Sequence, residues 1–144
     1  MTVDPPPLRS LGIIATRGSS NNLFQVATLV RAATALGASV EVLFRDSALA
    51  KLSHDRIDVP EWSATYAAVE PKLRERLKAA EFTSMESFLR DAKEHGDDVR
   101  FWASSQTMET DGLRLADLTS LLDGAVSPES FDERATRFEA LLSF

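Results

Sequence analysis

The sequence predicts an α/β fold built on a parallel sheet, and three observations predict it. The first is the short apolar run 11–16 (Leu-Gly-Ile-Ile-Ala-Thr), which has the character of a strand buried on both faces. The second is a change of period over 23–36. There Leu23, Val26, Val30 and Ala33 recur at helical spacings of three and four, and Gly37 ends the run. The third is the apolar run 39–44 (Ser-Val-Glu-Val-Leu-Phe). Strand, helix and strand in close succession make a βαβ unit, whose crossover leaves the two strands parallel.

Composition bounds the rest. With 144 residues, 44% hydrophobic and 26% charged, the chain is sized for one domain with a real core. A net charge of −6 argues against nucleic acid or an anionic membrane as partner, since both are held by basic patches. Lys72, Arg74, Arg76 and Lys78 are the exception, and they read as a solvated helix face. The absence of cysteine excludes disulfides, thiolate nucleophiles and thiolate metal sites. No apolar run has the length of a membrane span and no secretory signal pattern opens the chain, so the expected location is cytoplasmic. Three prolines at 5–7 suggest a mobile tail over 1–10, ahead of a single domain over 11–144.

The elements follow in order. The loop 17–22 is small and polar. Gly18, Ser19, Ser20 and Asn21 there form a candidate anion cradle at a helix N-terminus. Neither the dinucleotide fingerprint nor the Walker pattern is present, and the competing expectation is a plain N-cap at Ser20 or Asn21. Residues 45–52 turn into a short helix, and 53–60 is a polar segment. Helices are expected at 61–69 and from Pro71 through Ala80. Ser84 caps a helix over 85–95, with Met85, Phe88, Leu89 and Ala92 on one face and Gly96 as its stop. A strand at 99–103 runs into a polar turn and a short helix closed by Asp111-Gly112. The leucine-rich stretch 113–122 is too short to assign. Ser127-Pro128 starts a helix that uses Phe131, Ala135 and Phe138, and 140–144 is either its last turn or a closing strand.

In an open parallel sheet, ligands and reactive side chains collect at the carboxyl ends of the strands. This makes Ser104, Ser105 and Gln106 candidate ligand-binding residues, with one of the serines alternatively capping the helix that follows. A nucleophilic serine needs a histidine base in reach. The only histidines are His54 and His95, both in polar settings, and no Gly-x-Ser-x-Gly elbow is present, so no catalytic residue is assigned. His54, Asp55 and Asp58 are too loosely spaced for a metal site, and no metal or other cofactor is expected. Trp62 and Tyr66 fit either core packing or an aromatic contact patch.

The apolar first strand, the alanine-rich helix ending in Leu36-Gly37, and the strand Val40-Glu41-Val42-Leu43-Phe44 together resemble the DsrE/DsrF-like family of sulfur-relay proteins. So do the segment from Ala103 to Gly112, with its Thr107-Met108 pair, and the turn Leu121-Leu122-Asp123-Gly124. The resemblance implies a three-layer α/β/α domain with a mostly parallel five-stranded sheet, in which 140–144 is the closing strand. It also implies homo- or hetero-oligomers, here with cysteine-bearing relatives. In that family a cysteine near the end of the third strand carries sulfur as a persulfide. The register puts Ser104 in its place, and a hydroxyl neither holds nor exchanges sulfane sulfur. What the resemblance implies is therefore a non-catalytic binding or structural subunit, with a retained pocket in which a cysteine replacing Ser104 would be open to alkylation. The alternative is a small-molecule domain that binds a nucleotide or another anion through the 18–21 loop and the Ser104 pocket.

Overall fold

The computed structural model describes residues 7–80 and 82–144. Five strands form one sheet: β1 (Ser10–Ala15), β2 (Ser39–Phe44), β3 (Val99–Ser104), β4 (Gly124–Val126) and β5 (Ala140–Ser143). All pair in parallel, in the order β4-β3-β2-β1-β5. The helices are α1 (Ser20–Ala35), α2 (Asp46–Lys51), α3 (Ala64–Ala67), α4 (Glu70–Ala79), α5 (Met85–His95), α6 (Ser105–Asp111) and α7 (Pro128–Ala135).

Side chains alternate across a sheet, and the register decides which of them share a face. Ile13, Val42 and Phe101 lie side by side on β1, β2 and β3. They and their alternating neighbours form the main core with Leu23, Val26 and Val30 of α1 and Leu89 and Ala92 of α5. The opposite face is covered by α7. There Trp102 Nε1 donates to Glu41 Oε1 at 2.7 Å, Glu41 pairs with Arg134 of α7, and the Arg134 guanidinium lies 5.2 Å from the Trp102 ring centre. Gly12 permits this layer to close, because a Cβ there would run into the Phe138 ring. Helices on both faces of a parallel sheet make a three-layer α/β/α fold.

Several boundaries differ from the sequence expectation. Ser19, not Ser20 or Asn21, caps α1: its hydroxyl accepts from Asn22 N, and the helix begins at Ser20. The helix expected over 61–69 is only the single turn α3, which leaves Trp62 outside any helix or strand. Within 113–122 the only helical turn is a 3₁₀ turn at Leu115–Asp117. Residues 140–144 contribute the closing strand β5. Residues 8–10 of the tail expected over 1–10 belong to the fold: Leu8 packs on the core, Arg9 N donates to Glu139 Oε2, and Ser10 opens β1. Residues 1–6 lie outside the described residues.

The strand β4 has only three residues and little apolar signal, and Asp123 sets its position. Asp123 N donates to Phe101 O at 2.8 Å, and Asp123 Oδ2 accepts from Phe101 N at 2.9 Å. The same carboxylate pairs with Lys93 at 2.9 Å. One acidic side chain thus joins β3, β4 and α5.

Candidate functional site

The loop after β1 does not stand open. Gly18 N donates to Ser47 Oγ at 3.0 Å, and a Cβ on Gly18 would collide with the Ser47 carbonyl. Ser20 N donates to Glu61 O, and Glu61 N donates back to Ser20 Oγ at 2.8 Å. Asn21 Oδ1 accepts from Ser63 N at 3.0 Å. Of the donors that would cradle an anion at the start of α1, Gly18 N is thus used on Ser47 and Ser20 N on the 61–63 segment.

That segment is fastened a second time from beneath. Lys51, at the end of α2, is fully buried, and its ammonium donates to Val59 O and to Glu61 Oε1, the latter at 3.0 Å. Arg56 reaches the other Glu61 oxygen at 3.4 Å. The hydrogen bond from Lys51 is the main reason the Glu61 carboxyl is held below its ordinary range. Partial burial opposes that shift, and the charges of Lys51 and Arg56 add to it.

At the end of β3, Ser104 is wholly buried. Its hydroxyl accepts from Thr107 N at 3.3 Å and caps α6, while Thr107 Oγ1 accepts from Asp46 N at 3.0 Å. The open pocket expected around Ser104 therefore does not surround its side chain, and the capping alternative is the observed one. A parallel strand feeding straight into a helix leaves its last side chain between the two, out of solvent. Ser105 is half-buried and Gln106 exposed, so the two residues after Ser104 are the ones that meet solvent. Asp46, the first residue of α2, has φ 54°, a left-handed conformation that Asp tolerates better than most residues.

Two chambers lie side by side beneath α4, of about 450 Å³ and 400 Å³, in the range of small-molecule sites. Trp62 and Leu77 line both. The larger also meets Ile57, Asp58, Phe82 and Met85, and the smaller Phe24, Tyr66 and Leu73. Of the sequence candidates, Ser20 borders the larger chamber and Asn21 the smaller, whereas Gly18, Ser19, Ser104, Ser105 and Gln106 line neither. Trp62 is half-buried and Tyr66 exposed, both face the smaller chamber, and neither packs in the core beneath the sheet. Sequence reasoning missed this site because its walls come from α1, the irregular 57–62 segment and α4, which no local motif links.

His54 Nε2 lies 3.1 Å from Ala116 O, and His95 Nδ1 lies 2.7 Å from Thr34 Oγ1; both are surface contacts between elements. Among the described residues no group of three or more His, Asp or Glu side chains could hold a metal ion. Among the same residues no helix is long and apolar enough to cross a membrane.

No family model and no curated protein matches this chain. Among solved structures it is similar to the protein of unknown function MTH1491 from Methanobacterium thermoautotrophicum, with a TM-score of 0.56 at 14% identity, over 93% of this chain and 98% of that one. At that identity the likeness concerns the fold alone: an α/β fold with a five-stranded parallel sheet flanked by helices.

Proposed function

We propose that the chain is a cysteine-free DsrE/DsrF-like protein, acting as a non-catalytic binding or structural subunit associated with sulfur relay inside the cell. The observation that carries the reading is the state of residue 104. At the end of the third strand, where the resemblance puts a sulfur-carrying cysteine, a buried serine hydroxyl accepts the Thr107 amide and offers no nucleophile. A chain of this kind contributes surface rather than chemistry, as a homo-oligomer or beside cysteine-bearing relatives. Native mass spectrometry of the purified chain, alone and mixed with a cysteine-bearing DsrE/DsrF-like protein from the same source, tests it. A defined homo- or hetero-oligomer is expected. A monomer in both samples would overturn the proposal.

The cavity beneath α4 favours a second reading, a small-molecule-binding domain, because Ser20 and Asn21 at the start of α1 border it. Thermal denaturation against a panel of small anions and nucleotides tests it. A raised midpoint with any member supports the reading, and a flat response removes it.

A further inference from the structure

We propose that the cavity beneath α4 is a binding site for a small aromatic acid, meaning a flat apolar body that carries a carboxylate or comparable anion. The inference rests on the small-molecule reading above and names its ligand class.

The roof is thinly packed. No residue of α4 is buried, and the two leucines it turns toward the cavity, Leu73 and Leu77, are only half covered. Apolar walls open to water are covered favourably by a guest that fits them. The walls themselves suit a flat ring. Phe24 of α1 and Phe88 of α5 stack at 4.6 Å with planes 7° apart, and Phe82 tilts against both at 6.3 Å and 5.6 Å. Phe24 faces the smaller chamber and Phe82 the larger, while Phe88 lines neither and backs the other two rings. Offset and tilted aromatic contacts of this kind extend readily to one more ring.

Two polar observations give the ligand its charge. The indole Nε1 of Trp62, on the wall common to both chambers, is buried and has no acceptor among the described residues, a deficit that a ligand oxygen could satisfy once the ring turns toward the chamber. Arg74 and Lys78 of α4 flank Leu77 on the wall of the larger chamber. Arg74 already holds Glu70 at 2.7 Å, and the carboxylate of Asp58 on the facing wall is engaged by Glu86 N at 3.0 Å. Among the described residues, Lys78 is a cation of this wall outside any ion pair, and it matches an anionic acceptor.

Calorimetric titration of the full chain with 2-naphthoate, and with the same ring bearing a methylammonium group, tests the assignment. Naphthoate is expected to bind at least about tenfold more tightly than the cation. Leu77→Trp, which fills both chambers, should abolish binding, and Lys78→Glu on the exposed roof should weaken it at least about fivefold with an unchanged melting temperature. Equal binding of anion and cation would overturn the ligand class and leave a small-molecule site standing. Unchanged naphthoate affinity in both variants would overturn the location. Absence of any heat with either ligand up to about 1 mM, together with a flat thermal panel, would remove the small-molecule reading itself.

Discussion

Lys51 and Glu61 meet at 3.0 Å, and the two are unequal: the lysine side chain is 0% exposed and the glutamate side chain 42%. The inequality predicts the order of two substitutions. Glu61→Ala leaves a buried ammonium with the Val59 carbonyl as its remaining partner, and should cost about 3 kcal/mol in a urea titration. Lys51→Met removes the charge but keeps the buried volume and leaves a carboxylate that water can reach. It should cost roughly half as much. The reverse order would show that the pair does not hold the 59–63 segment in place.

The same pair gives the fold an acid limit. A carboxyl whose folded pKa is depressed contributes stability that is fully present above its unfolded value and is lost as pH falls through the folded one. Lys51 lowers Glu61, so this contribution should fade as pH drops below the ordinary glutamate range. Thermal melts from pH 7 downward should show a smaller acid-induced loss in Glu61→Gln than in the wild type. Parallel profiles would exclude Glu61 as a source of the acid sensitivity.

Gly18 and Gly12 both sit where a Cβ would collide, but with different neighbours. At Gly18 the obstacle is the backbone carbonyl of Ser47, and Lys51 Cβ lies 3.1 Å from the same point. At Gly12 it is chiefly the ring of Phe138, which is half-buried and has room to turn outward. Gly18→Ala should therefore destabilise by about 3 kcal/mol and Gly12→Ala by about 1 kcal/mol, as read from chemical denaturation. Equal losses would mean that the turn after β2 yields as easily as the Phe138 side chain.

Ser104→Ala removes the acceptor for Thr107 N and should cost about 1 kcal/mol. Burial also reverses the expectation of an open thiol at this place. Ser104→Cys should react with iodoacetamide far more slowly in the folded protein than in urea. Equal rates in both would show that residue 104 is reachable in the native state.

The legible part of the fold was the part with strong local patterning. The strand 39–44, the helix 85–95 and its cap Ser84 match the structure residue for residue, because period and capping residues agree there. The short β4 was missed, since Asp123 places it through contacts 22 residues away. The N-cap of α1 was misplaced by one or two positions because Ser19, Ser20 and Asn21 can all accept an amide. Tertiary demand chose among them: Glu61 and Ser63 engage Ser20 and Asn21, leaving Ser19 for the helix. The site residues divide in the same way. A strand end is visible in sequence, but whether its side chain faces solvent depends on what the next helix covers, and the cavity under α4 is defined by segments far apart in the chain.

The strand order also sets a schedule for folding. From β1 to β4 each new strand joins the edge left by its predecessor, so the sheet can grow as the chain lengthens. The last strand breaks that progression and returns to β1, pairing Leu11 with Ala140 and Ile14 with Ser143. Contacts that close so long a loop carry the largest entropic cost and form late. Native-state hydrogen exchange should accordingly find the β5 amides opening at lower free energy than those of β2, which has a partner on each side. Equal protection would mean that the sheet closes as one cooperative unit.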